Sequence, residues 1–116
     1  SGGAMGSEAL QEQVLVAAFP NQVPEVHIAT FDTGKGEITL KEATVRQSGE
    51  VALGKQTIIS LADASGVDFG DGTLAIMGKK DELQVQLHIE SPDDQQVWLA
   101  AITAVLEQGR SGGGGG

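Results

Sequence analysis

Cysteine is absent from the 116 residues. That excludes a disulfide framework, a thiolate nucleophile and any zinc site built on cysteine. Aromatic residues are nearly absent too: one Trp, three Phe and no Tyr. So small a set gives no stacking platform for unpaired bases. Basic residues are scarce, with 7 Lys+Arg against 16 Asp+Glu and a net charge of −9. A surface of that sign repels nucleic-acid phosphates and anionic lipid headgroups over about one Debye length. A basic patch can still persist locally within it. No apolar run approaches the ~18 residues that a membrane-spanning helix needs.

The two ends differ from the middle. Ser1 to Ser7 reads as an expression-tag remnant and is set apart from the fold. Residues 110–116 end in five glycines and read as a Gly-rich flexible tail or linker that buries nothing. Residues 8–109 are left as one domain, enough for one modest core.

The clearest element lies near the C-terminus. Ser91-Pro92-Asp93-Asp94 combines an N-cap serine, a proline at the first helical position and acids in the first turn. Trp98, Ala101, Ile102 and Val105 follow at helical spacing, with Val97 and Leu106 widening the stripe. Gln108-Gly109 supplies a stop, so a helix is predicted over 93–108. Just before it, Leu83, Val85, Leu87 and Ile89 alternate with Gln84, Gln86, His88 and Glu90, the period of a half-buried strand.

Upstream, short apolar runs alternate with turn signals. Val26 to Phe31 is followed by the hairpin turn Asp32 to Gly36 and then by Glu37 to Val45. Ser48-Gly49 breaks the chain before Val51 to Leu53, and Gly54-Lys55 breaks it again before Gln56 to Leu61. Asp68 to Gly72 reads as a loop before a strand at Thr73 to Met77. Residues 13–19 have both helical and strand character, ended by Pro20 and Pro24; taken as a strand, they bring the strand count to seven. Short strands at this spacing indicate an antiparallel sandwich or barrel.

Seven short strands and a closing helix with Trp on its inner face resemble the pleckstrin-homology (PH) domain. The most specific stretch is Leu83 to Ile102, where a final strand leads into a Ser-plus-acid helix start. Trp98 follows, with the aliphatic Ile102 four residues on. Thr57 to Ala64 also resembles a middle strand of that family. The resemblance implies a mainly β, bent seven-stranded antiparallel barrel or sandwich capped by one C-terminal α-helix. It also implies a monomeric, intracellular module of a larger protein, associated through that parent with the cytoskeleton or a membrane. PH domains that bind phosphoinositides place several Lys and Arg around the first hairpin, with a Lys-x-Arg pair on the second strand. In one register the hairpin Asp32 to Glu37 offers only Lys35, followed by Lys41-Glu42-Ala43. In the other the first loop is Pro20 to Glu25, with no base. Neither supplies the bidentate cationic pocket that inositol phosphates need.

Several fragments echo catalytic or metal motifs and read as ordinary turns. Asp32-Thr33-Gly34 spells the aspartic-protease triplet, but that chemistry shares a proton between two aspartates and no second copy exists. Asp68-Phe69-Gly70 echoes the kinase magnesium motif without the rest of that machinery, and is read as a turn. Asp63, Asp68 and Asp71 lack calcium-loop spacing and read as solvated acids. Gly34-Lys35-Gly36 lacks the phosphate-loop spacing. His27 and His88 are read as surface histidines, neither ligand nor base. Lys79-Lys80 is followed at once by Asp81-Glu82 and reads as a charged turn.

These readings predict a non-catalytic protein-interaction module, an adaptor or scaffold, with no cofactor and no metal. Its partner is another protein, basic or an extended peptide, and not nucleic acid. The helix face opposite Trp98 offers Gln96, Ala100, Thr103 and Glu107 as contact positions. The alternative is recruitment to acidic lipid or phosphoinositide headgroups through Lys35, Lys41, Lys55, Lys79 and Lys80.

Overall fold

Alternation of apolar and polar residues builds seven strands in the computed structural model. They are β1 (Ala9–Ala18), β2 (Glu25–Asp32), β3 (Glu37–Val45), β4 (Val51–Ser60), β5 (Ala64–Gly70), β6 (Thr73–Gly78) and β7 (Leu83–His88), and α1 (Pro92–Gly115) follows. The structure describes residues 9–115, with side chains described over 12–108. The tag-remnant reading of residues 1–7 lies outside them. The strand order is β4-β3-β2-β1-β7-β6-β5, all antiparallel. β1 joins the two halves, pairing with β2 along its length and with β7 through Val16 to Ala18. This is the mainly β, helix-closed architecture that the sequence predicts.

The inner faces meet in one core. Leu15 and Ala17 of β1, Ala29 and Phe31 of β2, Ile38 and Leu40 of β3, and Ile59 of β4 enclose it from one half. Leu74, Ile76, Val85, Leu87 and Ile89 close it from the other. Trp98 and Ile102 of α1 plug the opening, both buried. Full burial of side chains this size contributes roughly 1.5–3 kcal/mol each.

The count of seven is right, but two of its members change. β4 is one strand across Gly54-Lys55, where a break was expected. The register shifts between Lys41/Ala43 and their partners Gln56/Leu53, a β-bulge that absorbs the extra residue. The Lys55 N–H donates to Glu42 Oε1 at 3.2 Å, so the bulge is held by a side chain. The lost strand is replaced by β5, whose Asp68-Phe69-Gly70 end pairs with β6 where a loop and a turn were expected. Thr57 to Ala64, expected as one strand, is the end of β4 followed by a 3₁₀ turn at Leu61–Asp63.

Three further expectations are corrected. His27 is buried, 4% exposed, because a period-two strand that turns Phe31 and Ala29 inward must turn His27 inward as well. Its Nδ1 donates to the Glu25 carbonyl at 2.9 Å, and its ring meets Phe19 edge-on at 5.9 Å. His88 is exposed, as expected. Val97 is 51% exposed and lies off the buried stripe, which runs through Trp98, Leu99, Ile102, Val105 and Leu106. The helical backbone continues past the Gly109 stop to Gly115. Glycine ends a helix when it turns left-handed, and here the ladder carries on, although each interior Gly costs about 1 kcal/mol against Ala.

Candidate binding surfaces

The start of α1 is fixed by its cap. The Asp94 N–H donates to Ser91 Oγ at 3.4 Å and the Gln95 N–H to the Ser91 carbonyl at 2.9 Å. Gln95 Nε2 also donates to the Ile89 carbonyl, tying the helix to the end of the last strand. With Trp98 turned inward, Gln96, Ala100 and Glu107 face solvent and Thr103 is half-buried. The four predicted contact positions therefore lie on the outer side of α1.

β5 is the strand that α1 packs against most extensively. Ala64 and Ser65 share a cleft with Val105, Leu106 and Gln108, while Gly72, just past β5, approaches Gln95. β5 thus runs alongside the helix from its C-terminal half to its first turn. It ends the strand order, with β6 as its one strand neighbour among the described residues, and Asp68, Phe69 and Gly70 at its far end are exposed.

The lysines do not converge on one site. Lys35 and Lys79 line a shallow cleft of about 570 Å³ between the β2–β3 turn, the Leu61 to Ser65 corner and α1. Lys55 lines a separate hollow of about 160 Å³ together with Glu25, Glu42 and His27. Lys41 lies on β3, paired with Ile28 and Gln56, and lines neither. Lys80 is exposed in the β6–β7 turn, where its backbone N–H donates to Glu82 Oε1 at 2.9 Å.

Among the described residues no three His, Asp or Glu side chains gather as metal ligands, and no helix is long and apolar enough to cross a membrane. Sequence reasoning missed one surface: Val14, Val26 and Ile58 are exposed on the outer face of the β1–β4 half. The signal was present, since β1 carries apolar residues at consecutive positions and so on both faces.

No family model matches the chain, and neither does any curated protein. Solved structures do. The PH domain of human oxysterol-binding protein-related protein 11 superposes with a TM-score of 0.60 at 15% identity, covering 93% of this chain and 86% of that one. The linker-DH/PH domains of p115-RhoGEF give 0.62 at 12% identity, over 88% of this chain and 30% of that one. The fold is PH-like. Inner membrane complex sub-compartment protein 3 from Toxoplasma gondii gives 0.62 at 14% identity, over 85% of this chain and 77% of that one. At such identities the likeness concerns the fold. The chain spans less than a third of the p115-RhoGEF chain, which carries further domains. In this PH-like domain the first described strand is β1, so the first loop is residues 19–24, without Lys or Arg. The register with the base-free loop is the one adopted.

Proposed function

We propose that this PH-like domain is a non-catalytic protein-interaction module that holds an extended segment of a partner protein. The observation that carries this reading is that β5 ends the strand order beside α1, with its 68–70 end exposed. An extended peptide adds to such an edge through main-chain hydrogen bonds, and neighbouring side chains select its sequence. Gln96, Ala100, Thr103 and Glu107 border the approach from the helix, small or polar and sterically open. A net charge of −9 favours a basic segment, chiefly by speeding encounter. Contacts of this size are modest, and micromolar affinity is expected.

Recruitment to acidic lipid is the weaker reading. It needs several cations on one face, and the five lysines are divided between separate places.

The test is affinity capture followed by NMR mapping with the captured protein's binding fragment. Shifts along 64–70 and at Gln96, Ala100 and Glu107, weakened by Glu107→Lys, support the reading. Shifts confined to the 32–37 turn and the lysines, with the outer helix face silent, refute it.

A further inference from the structure

We propose that the cleft bearing Lys35 and Lys79 binds one small anionic amphiphile, a carboxylate or phosphate monoester on a single apolar stem. This goes beyond the protein-binding surface and does not depend on it. Three features of the cleft point to that chemistry.

The first is charge. Lys35 and Lys79 line the cleft, and among the described residues no carboxylate does. In a chain of net charge −9 this is a local inversion of sign. Asp32, Glu37, Asp63 and Glu107 adjoin lining residues in sequence but do not themselves line the cleft. Two ammonium groups suit one carboxylate or phosphate monoester, each forming charge-assisted hydrogen bonds with it.

The second is the floor. Leu61 is buried, and Ala64, Val105 and Leu106 pack partly exposed against the core. An inorganic anion leaves those apolar groups in water, whereas an alkyl stem covers them. The volume of about 570 Å³ falls in the roughly 300–1,000 Å³ range of small-molecule sites.

The third is preorganisation. The Lys35 N–H donates to Asp32 Oδ1 at 3.1 Å and the Gly36 N–H to the Asp32 carbonyl at 2.8 Å, which braces the turn that presents Lys35. The Leu61 N–H donates to the Gly36 carbonyl at 2.8 Å, joining that turn to the floor. Lys79 sits on a turn closed by the Gly78 N–H on the Glu82 carbonyl at 2.7 Å. The walls are held before any ligand arrives, so little ordering opposes binding.

The experiment is an amide NMR titration of the whole chain with sodium decanoate and with decyl phosphate, both below micelle formation, and with inorganic phosphate. The expected result is saturable shifts at 33–36, 61–65, 79 and 105–108 with both amphiphiles. Inorganic phosphate should bind at least tenfold more weakly. The Lys35→Gln/Lys79→Gln variant, altered only at exposed positions, should lose at least tenfold in affinity for both amphiphiles. Inorganic phosphate binding as tightly as decyl phosphate would reduce the cleft to an anion site and overturn the assignment. So would amphiphile shifts on the outer face of β1–β4 in place of the cleft, or unchanged affinity in the double variant.

Discussion

Phe31 of β2 and Trp98 of α1 stack at a ring-centroid distance of 5.6 Å and an interplanar angle of 32°, both buried. This pair joins the sheet to the helix that closes it, so the helix docks through one aromatic contact backed by Ile102. Trp98→Ala removes the plug and should cost about 3–5 kcal/mol, a large part of the ~5–15 kcal/mol that a domain has. A double-mutant cycle with Phe31→Leu should show coupling of about 0.5–1.5 kcal/mol. Urea unfolding measures both quantities. A Trp98→Ala protein with an unchanged midpoint would contradict this account of the closure.

Gly36 governs a second contact between sheet and helix. Its φ is +67°, and a Cβ placed there would lie 3.1 Å from Val105 Cγ1. Gly36→Ala therefore meets both backbone strain and a crowded neighbour, and should destabilise by about 1–3 kcal/mol. In a Val105→Ala background the crowding disappears while the strain remains. The penalty should shrink there without vanishing. Equal penalties in the two backgrounds would show that the approach of α1 to the turn is not what requires glycine.

What was legible in the sequence follows from how local its causes are. The last strand, its cap and the Trp98 face lie within twenty-odd consecutive residues, and each obeys a short-range period. The outer helix positions Gln96, Ala100, Thr103 and Glu107 could be read from the same period. β5 could not, because the short alternation of Val67 and Phe69 is interrupted by Gly66, Asp68 and Gly70, which are turn-forming types, and the segment becomes a strand by pairing with β6. Gly54-Lys55 looked like a break because its partner Glu42 is remote in sequence. The cleft was hidden for the same reason: Lys35 and Lys79 come together only when four separate segments converge. His27 is buried against the expectation from its residue type because the period of its strand decides which face it takes.

The Ser91 cap gives a narrower test. Its Oγ accepts from the Asp94 N–H at 3.4 Å, a long bond, so Ser91→Ala should cost about 0.5–1 kcal/mol, the low end for caps. Ser91→Asp should retain most of the stability, since a carboxylate also accepts there and suits the helix N-terminus. Thermal unfolding of the two variants decides it. Ser91→Asp falling as far as Ser91→Ala would mean that the side-chain cap contributes nothing.

Phosphoinositide vesicles give the last test, and the reasoning starts from where the lysines sit. A basic residue near an anionic membrane contributes about 1 kcal/mol. Lys35 and Lys79 share a cleft, while Lys55 faces a hollow with two carboxylates and Lys41 lies on a strand face. With Lys80 exposed beside Lys79 in the β6–β7 turn, three lysines contribute roughly 3 kcal/mol, far below the ~8 kcal/mol of micromolar affinity, and 16 Asp+Glu oppose the approach. Sedimentation with phosphoinositide vesicles at physiological salt should leave the protein in solution. Any retention at low salt should be insensitive to headgroup identity and should fall in Lys35→Gln/Lys79→Gln. Saturable, headgroup-selective retention at micromolar lipid would require more cations at one surface than this arrangement supplies. That result would make lipid recruitment the primary function and the β5 edge secondary.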